Sequence, residues 1–260
     1  MKSMSVLVTA LGALCALYGA AVHAQTATAA EITVATPAGA AFSDCADCPA
    51  MVVVPAGRFL MGSPPDEAGR EVCEGPQHEV TLARPFAMGR SVVTHEQWRA
   101  CARQGGCRDL DADPELGRPV RLAPGHEAVT GIRQAEAVAY TRWLSEVTGQ
   151  DYRLPSEAEW EYVARSVGQG STPAFVLNDL HGQVWQWVQD CLHDSYRGAP
   201  HDGSEWLENC SMYGQKIARG GSKRSNPFEL RPAHRGWSGD SGEDIGFRVV
   251  RGLEDAGAAP

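Results

Sequence analysis

The chain has 260 residues, of which 23 are Lys or Arg and 32 are Asp or Glu, so its formal charge at pH 7 is −9. This acidity, without any basic run, excludes the classes of protein that bind nucleic acid or anionic membranes through positive charge. A hydrophobic fraction of 43%, with 28 Gly and 16 Pro, predicts a globular, loop-rich protein and excludes fibrous and disordered chains.

The N-terminus has the features of a secretory signal peptide. Lys2 precedes an uncharged apolar run from Val6 to Val22, and the small residues Val22 and Ala24 stand before Gln25 at the spacing of a cleavage site. The alternative, a membrane anchor, needs about 20 apolar residues, and this run is shorter. We therefore expect residues 1–24 to be removed, which predicts a periplasmic or secreted protein that is not membrane-bound after cleavage.

The next segment, residues 25–41, consists of small and polar residues and is predicted to be a flexible linker. The folded domain is expected over residues 42–253, followed by a disordered tail over residues 254–260. Within the domain, two apolar runs on either side of Pro55 predict a β-hairpin, and the alternation in His78–Leu82 predicts a further strand.

Helices are predicted where capping residues precede apolar spacing. Thr94 and Gln97 form a capping box for a helix that ends near Gly105, and Ser156 and Glu159 form another.

A third helix is predicted over residues 134–148, with Gly149 as its end. Its expected core-facing stripe advances in four-residue steps through Ala135, Ala139, Trp143 and Val147. After Arg165 the sequence predicts glycine-rich turns and short strands near residues 184–188 and 247–250.

Eight cysteines in an exported chain indicate disulfides, and signal cleavage leaves seven of them. Cys101 and Cys107 flank a glycine turn, and Cys191 and Cys210 bracket a polar loop, so each pair is a candidate bridge. For the Cys45/Cys48 pair the alternatives are a redox or metal site and a structural bridge that ties down the N-terminal strand, either between the two cysteines or from one of them to Cys73. Cys73 itself is either a free thiol able to act as a nucleophile or redox partner, or half of an unidentified bridge.

Several segments together resemble the formylglycine-generating enzyme family, also called the sulfatase-modifying factor domain. They occur in the family's order and cover most of residues 42–252. The resemblance implies an α+β fold, the loop-rich variant of the C-type lectin fold, with a few helices around small antiparallel sheets. The Cys101/Cys107 and Cys191/Cys210 pairs are also similar to those of exported bacterial members. The segments are MVVVPAGRFLMGS (51–63), EGPQHEV (74–80), VVT with Trp98 (92–98), RLPSEAEWEYVAR (153–165), HGQVWQWVQD (181–190), RGGS (219–222) and GFRVVR (246–251).

Charged residues in these segments are expected to form buried ion pairs that hold the loops in register. The expected acids lie near the start of the Ser156 helix, and Arg248 and Arg251 lie on a late strand. Three tryptophans are expected to fill space between loops. The charged residues near the start of this helix are Arg153, Glu157, Glu159 and Glu161, and the tryptophans are Trp160, Trp185 and Trp187.

The sequence departs from the family at its metal sites. Enzymes that make formylglycine hold copper with two cysteines after the RGGS turn, because soft thiolates select Cu(I). Ser225 and Leu230 occupy those positions, and no cysteine follows Cys210, so copper-dependent formylglycine generation is not expected. The family's calcium ligands are replaced by Gln183 and Gln186, although backbone carbonyls at residues 178–180 remain an alternative calcium site.

Two sets of polar residues remain as candidates for chemistry in the C-terminal loops. The first occupies the stretch that forms the active groove of the enzymes, where His234 is the expected general base. The second, between Cys191 and Cys210, contains potential metal ligands. For both sets the alternative is a solvated surface loop. The catalytic candidates are Ser225, Asn226, Glu229, His234, Arg235 and Trp237, and the metal candidates are His193, Asp194, His201 and Asp202.

Two functions are consistent with this pattern. The family includes members without the copper cysteines, such as the periplasmic protein that matures the fluorophore of pyoverdine-type siderophores, ergothioneine synthases and non-enzymatic relatives. The first hypothesis is therefore an exported, monomeric oxidoreductase that modifies a peptide or a peptide-derived metabolite. The alternative is a non-catalytic, lectin-like module that binds a protein or small-molecule partner through its C-terminal loops.

Overall fold

The computed structural model describes residues 32–110, 120–123, 126–167, 175–211, 213–239 and 242–255. The chain divides into two units, residues 1–31 and 32–260, and all the described residues belong to the second. The predicted signal peptide, residues 25–31 of the predicted linker and residues 256–260 of the predicted tail lie outside the described residues.

Three α-helices and a series of short strands form the described residues, which confirms the α+β class and the loop-rich architecture. A single 3-10 turn, Val72–Glu74, is present in the described part of the chain. The elements are β1 (Ala41–Phe42), β2 (Met51–Val54), β3 (Gly57–Met61), β4 (His78–Leu82), β5 (Phe86–Gly89), α1 (His95–Arg103), β6 (Val120–Ala123), β7 (His126–Ala128), α2 (Gln134–Thr148), β8 (Tyr152–Arg153), α3 (Glu157–Val167), β9 (Trp185–Cys191), β10 (Lys216–Arg219), β11 (Gly236–Ser238), β12 (Ile245–Phe247) and β13 (Val250–Gly252).

The largest sheet joins the two ends of the domain, in the order β1-β2-β5-β13-β8. Beyond β1, the N–H of Val34 donates to the carbonyl of Glu254 at 3.0 Å, and Thr33 bridges the same residue. This contact involves residues of both the predicted linker and the predicted tail.

The predicted hairpin around Pro55 is wrong, because the two runs enter different sheets. β2 pairs with β1 and β5, whereas β3 pairs with β4. All four residues of β2 are buried, with Met51 and Val53 in one hydrophobic core and Val52 and Val54 in the other. A strand buried on both faces is an interior strand of its sheet, and β5 takes the edge that a hairpin partner would occupy.

The capping predictions are confirmed. Thr94 Oγ1 accepts from the N–H of Gln97 at 3.2 Å, and the Gln97 side chain accepts from the N–H of Thr94 at 2.9 Å. Ser156 and Glu159 make the same reciprocal pair at the start of α3. α2 ends at Gly149, whose φ of 68° lies in the left-handed region that favours glycine.

The predicted core stripe of α2 is wrong, apart from Trp143. The buried side of the helix carries Ala137, Tyr140, Thr141 and Leu144, whereas Val147 is 46% exposed. Steps of four residues rotate by about 40° each time around a helix of 3.6 residues per turn, so a run of three steps leaves the buried face.

The C-terminal sheet has the order β11-β10-β9-β12 and carries the loops in which the candidate residues lie. Among the strand pairs of the described chain, only β9 and β12 run parallel. Trp187 on β9 and Trp160 on α3 are fully buried, as predicted, whereas Trp185 is half-buried and lies at the start of β9.

The expected ion pairs form only in part. Arg153 binds Glu159 through two hydrogen bonds of 2.6 Å, and Glu157 and Glu161 each bind Arg219. The pairing of Arg248 and Arg251 with helix glutamates is wrong. Arg251 binds Asp44 at 2.9 Å, and Arg248 binds backbone carbonyls and Gln186. Arg248, between β12 and β13, and Arg251, on β13, lie against other loops, which the sequence does not reveal.

The two candidate bridges Cys101–Cys107 and Cys191–Cys210 are present as disulfides, and a third disulfide joins Cys45 and Cys48. For the Cys45/Cys48 pair this is the structural bridge, without Cys73, which carries a free thiol.

Within the described ranges, no helix combines the length and the apolar character that crossing a bilayer requires.

Candidate functional site

A groove of about 350 Å³ lies where the C-terminal loops meet the 3-10 turn. Trp185 from β9 and His234, from the loop before β11, lie in its wall, and Trp237 on β11 stands at its mouth with 57% of its surface exposed. Carboxylates complete the lining, contributed by Glu71, Glu229 and Asp244. The groove therefore combines aromatic surface, one imidazole and several acids.

A second compartment of about 280 Å³ adjoins the groove and shares Glu71 and Trp237 with it. Its other lining includes Cys73, His193 and Asp194. Burial raises the pKa of the Cys73 thiol to about 11, so the thiol is protonated at neutral pH, which disfavours its predicted role as a nucleophile.

A larger cleft of about 680 Å³ contains none of the catalytic candidates. It lies between the β4–β5 turn and the end of β13, and its charged residues include Arg153 and Glu159, which already bind each other. Volume alone is therefore a poor guide to the site, and the convergence of polar groups favours the smaller groove.

Two arginines of the C-terminal loop, Arg231 and Arg235, bind residues of the 62–75 segment. Arg231 donates to Glu67, to Glu74 and to the carbonyl of Gly69, at distances of 2.5–2.8 Å. Arg235 donates to the carbonyl of Cys73 at 2.9 Å. These bonds connect the C-terminal loop to the 62–75 segment, so residues far apart in sequence form one site.

Arg235 lines the groove, but its guanidinium is engaged in structural contacts. Only 1% of it is exposed, and its Nε and Nη2 atoms bind the two Glu157 oxygens at 2.8 and 3.0 Å. Its guanidinium also lies over the Tyr196 ring at 4.3 Å. The hypothesis that Arg235 orients an anionic ligand therefore gains nothing from this geometry, although the residue fixes the loop that carries His234 and Trp237.

His234 also lines the groove from a buried position. It is 8% exposed, and its ring centroid lies 5.7 Å from that of Trp185. Glu229, another candidate, also lines the groove, where its carboxylate accepts from the N–H of Asn226 at 3.1 Å and closes a turn. Ser225 does not line the groove.

The two positions that hold copper in the family do come together, around Gly221. A Cβ placed on Gly221 would lie 2.6 Å from Leu230 Cδ2 and 3.2 Å from Ser225 Oγ. Ser225 Oγ accepts from the N–H of Ser222 at 3.1 Å, and the Leu230 methyl groups fill the space. A hydroxyl and an alkyl group do not fit Cu(I), which requires soft ligands.

The carbonyls predicted as alternative calcium ligands already have donors. Arg248 Nη2 donates to the carbonyls of Asn178 and Asp179 at 2.9 and 3.1 Å. Gln186 Nε2 donates to those of Asp179 and Leu180 at 2.8 and 3.2 Å. Burial lowers the pKa of Arg248 to about 10, so it keeps its positive charge at neutral pH. A second cation does not fit beside it, although the buried Oε1 of Gln183 has no hydrogen-bond partner in the described part of the chain.

The metal candidates of the Cys191–Cys210 loop each have separate contacts. His193 contacts the carbonyls of Cys191 and Glu208 through its two ring nitrogens and stacks on Trp206 at 3.5 Å. His201 contacts the carbonyl of Glu79, Asp202 accepts from Ser204, and Asp194 lies in the second compartment. Within the described parts of the chain, no three His, Cys, Asp or Glu side chains are grouped to hold a metal ion.

Sequence reasoning missed the contribution of the N-terminal half to the groove. Glu71 lines both compartments, and Glu74 lies behind His234 with its carboxylate fully buried. Glu74 belongs to the EGPQHEV segment, but the sequence gives no indication that this segment meets residues 229–238. The sequence predicts Trp185 only as a packing residue, yet it forms part of the groove wall.

Comparisons with known proteins agree on one family. The sulfatase-modifying factor enzyme 1-like domain matches residues 37–175 and 166–253. The mouse protein named inactive C-alpha-formylglycine-generating enzyme 2 is 30% identical, over 78% of this chain and 85% of its own length. Hercynine oxygenase of Mycolicibacterium smegmatis is 24% identical over 72% of this chain.

Among solved structures, PvdO from Pseudomonas aeruginosa is similar over its whole chain and 84% of this one, with 34% identity and a TM-score of 0.66. Some curated relatives are longer proteins. The chain spans 57% of the length of the oxygenase and 38% of a Chlamydia caviae serine/threonine-protein kinase named pkn1 that is 25% identical.

Proposed function

The chain belongs to the sulfatase-modifying factor enzyme 1-like domain family, and on this premise we propose that it is an exported oxidoreductase that modifies a peptide or a peptide-derived metabolite without the two-cysteine copper site. The observation that carries the proposal is a buried imidazole, His234, in a groove lined by Trp185 and Trp237. Three disulfides and the signal-like N-terminus support export, because bridges persist in oxidising compartments.

The groove supports a reaction in which the substrate itself supplies the electrons. An electron-rich ring binds against the tryptophans and loses a proton to the imidazole. The resulting anion gives two electrons to dissolved O₂, the oxidant, and the second proton of the substrate goes with them. The substrate is oxidised by two hydrogens, O₂ becomes H₂O₂, and His234 returns its proton to complete the balance.

The experiment measures O₂ consumption and H₂O₂ formation by the purified protein. The probes are a cysteine-bearing sulfatase peptide and a reduced, peptide-derived siderophore precursor, each with and without added copper. We expect uptake with the precursor, one H₂O₂ formed per O₂, and no gain from copper because Ser225 and Leu230 replace the thiolates.

The His234→Gln variant should lower the rate by about 10²-fold, the usual contribution of a general base. The control is His201→Gln, which alters an exposed histidine outside the groove. Absence of uptake with both probes, or an unchanged rate in His234→Gln, would overturn the enzymatic proposal.

A second candidate function is non-catalytic binding. The exposed Trp237 at the mouth of the groove favours it, as does the mouse relative that is named inactive. In that case the same probes would quench tryptophan fluorescence in the wild type and less in Trp237→Ala, with no O₂ uptake. Turnover by the wild type would exclude this alternative.

A further inference from the structure

Glu74 is a fully buried carboxylate at the end of the 3-10 turn, directly behind the groove. Its Oε2 accepts from Ser63 Oγ and from Arg231 Nη1, both at 2.8 Å. Its Oε1 accepts from Arg231 Nη2 at 2.5 Å and from the N–H of Glu71 at 3.2 Å. Four donors therefore fix both oxygens in one orientation.

His234 lies against this fixed carboxylate. Its Nδ1 is 3.7 Å from Glu74 Oε1 and is buried without a hydrogen-bond partner among the described residues. The backbone N–H of His234 donates to the carbonyl of Arg231 at 3.1 Å, so the residue that binds Glu74 also positions the histidine backbone. With Nδ1 directed at Glu74, Nε2 is the ring nitrogen left on the groove side.

We propose that Glu74 is a positioning residue, whose carboxylate holds His234 in the Nδ1–H tautomer and leaves the Nε2 lone pair facing the groove. This inference rests on the proposed function, in which His234 accepts a proton from the substrate. A carboxylate that orients a base works by fixing its tautomer and by stabilising the imidazolium that forms. The Nδ1–Oε1 contact is longer than a hydrogen bond, as is usual before a substrate binds.

The charge of Glu74 is available for this role. Burial opposes its ionisation, but contacts from His234, Arg231 and Ser63 outweigh burial and hold the pKa of Glu74 well below its usual range. The other charged groups around His234 are Glu71, Glu229 and Asp244 in the groove and Arg235, which Glu157 neutralises. Glu74 is the acid that contacts the ring at its buried nitrogen.

The test reads the tautomer directly and does not require substrate. Protein labelled with ¹⁵N-histidine gives the protonation of each ring nitrogen by NMR at a pH where His234 is neutral, and the His234→Gln spectrum assigns its signals. We expect Nδ1–H in the wild type and a mixture of tautomers in Glu74→Gln. The matched control is Glu67→Gln, because Glu67 binds Arg231 without contacting His234, and it should keep Nδ1–H.

A kinetic measurement separates this inference from the proposed function. If the wild type oxidises the precursor, Glu74→Gln should lower kcat by about 10²-fold and change KM by less than about twofold, because the loss falls on the proton transfer. A wild type in the Nε2–H form overturns the role of Glu74 whatever the activity, and this outcome applies even if Glu74→Gln fails to fold. An unchanged tautomer or kcat in a folded Glu74→Gln overturns it equally.

Discussion

Arg219 is a fully buried cation between two acids of α3. Its Nη1 binds Glu157 at 2.6 Å and its Nη2 binds Glu161 at 2.8 Å, and none of the three side chains is more than 3% exposed. The guanidinium also lies 5.2 Å from the centre of the Trp160 ring. Because water cannot compensate for a missing partner here, the pairs are required for stability even if their net contribution is small.

Replacing Arg219 by methionine should remove the cation that two buried carboxylates share, leaving Glu157 with Arg235 and Glu161 with Arg165. We expect the free energy of unfolding, measured in urea, to fall by about 3–5 kcal/mol. Arg84→Met is the control, since Arg84 and its partner Asp255 have side chains that are 58% and 72% exposed, and such pairs contribute about 0–1 kcal/mol. Equal losses in the two variants would contradict the expected role of burial.

Some residues of the site can be predicted from the sequence, whereas the contacts between them cannot. The predicted candidates after the RGGS turn that line the groove are Glu229, His234, Arg235 and Trp237. The sequence does not predict the buried pairing of Arg235 with Glu157 or the approach of Glu74 to His234. The first contact joins residues that are 78 positions apart in the sequence, and the second joins residues that are 160 positions apart. No local pattern in the chain indicates that such distant residues meet.

At the scale of elements, prediction succeeds where the determinants are local. The capping boxes of α1 and α3 join residues three positions apart, and each disulfide closes a short loop. The hairpin at Pro55 fails because the choice of partner for β2 depends on β5 and on two hydrophobic cores. Strand pairing of this kind is a property of the whole domain, which a local turn signal cannot determine.

The face of α2 that is buried can be tested by two truncations on the same helix. Leu144→Ala should lower the free energy of unfolding by about 2–5 kcal/mol, because a fully buried leucine leaves a cavity. Val147→Ala should change it by less than about 0.5 kcal/mol, because Val147 is 46% exposed. Chemical denaturation measures both. A larger loss for Val147→Ala would support the four-residue stripe instead.

At the scale of the whole molecule, the buried charges make stability depend on pH in opposing ways. Burial, assisted by the charge of Glu157, raises the pKa of Asp190 to about 7. The stabilising contribution of Asp190 is therefore present below about pH 4 and lost as the pH rises towards 7. Burial, assisted by Arg219 and Arg248, lowers the pKa of His181 to about 4. The contribution of His181 is present above about pH 6.5 and lost as the pH falls towards 4.

The His181 contribution can be isolated with His181→Phe, which keeps a ring against Trp160, 5.5 Å away, and cannot titrate. Wild type and variant share Asp190, so its effect cancels in their difference. Between pH 6.5 and 4 the wild type should lose stability relative to the variant, with a slope of at most about 1.4 kcal/mol per pH unit. Urea unfolding of both proteins at several pH values measures this slope. A difference that stays constant over the range would mean that His181 binds protons equally in the folded and unfolded chains, which contradicts its burial beside two arginines.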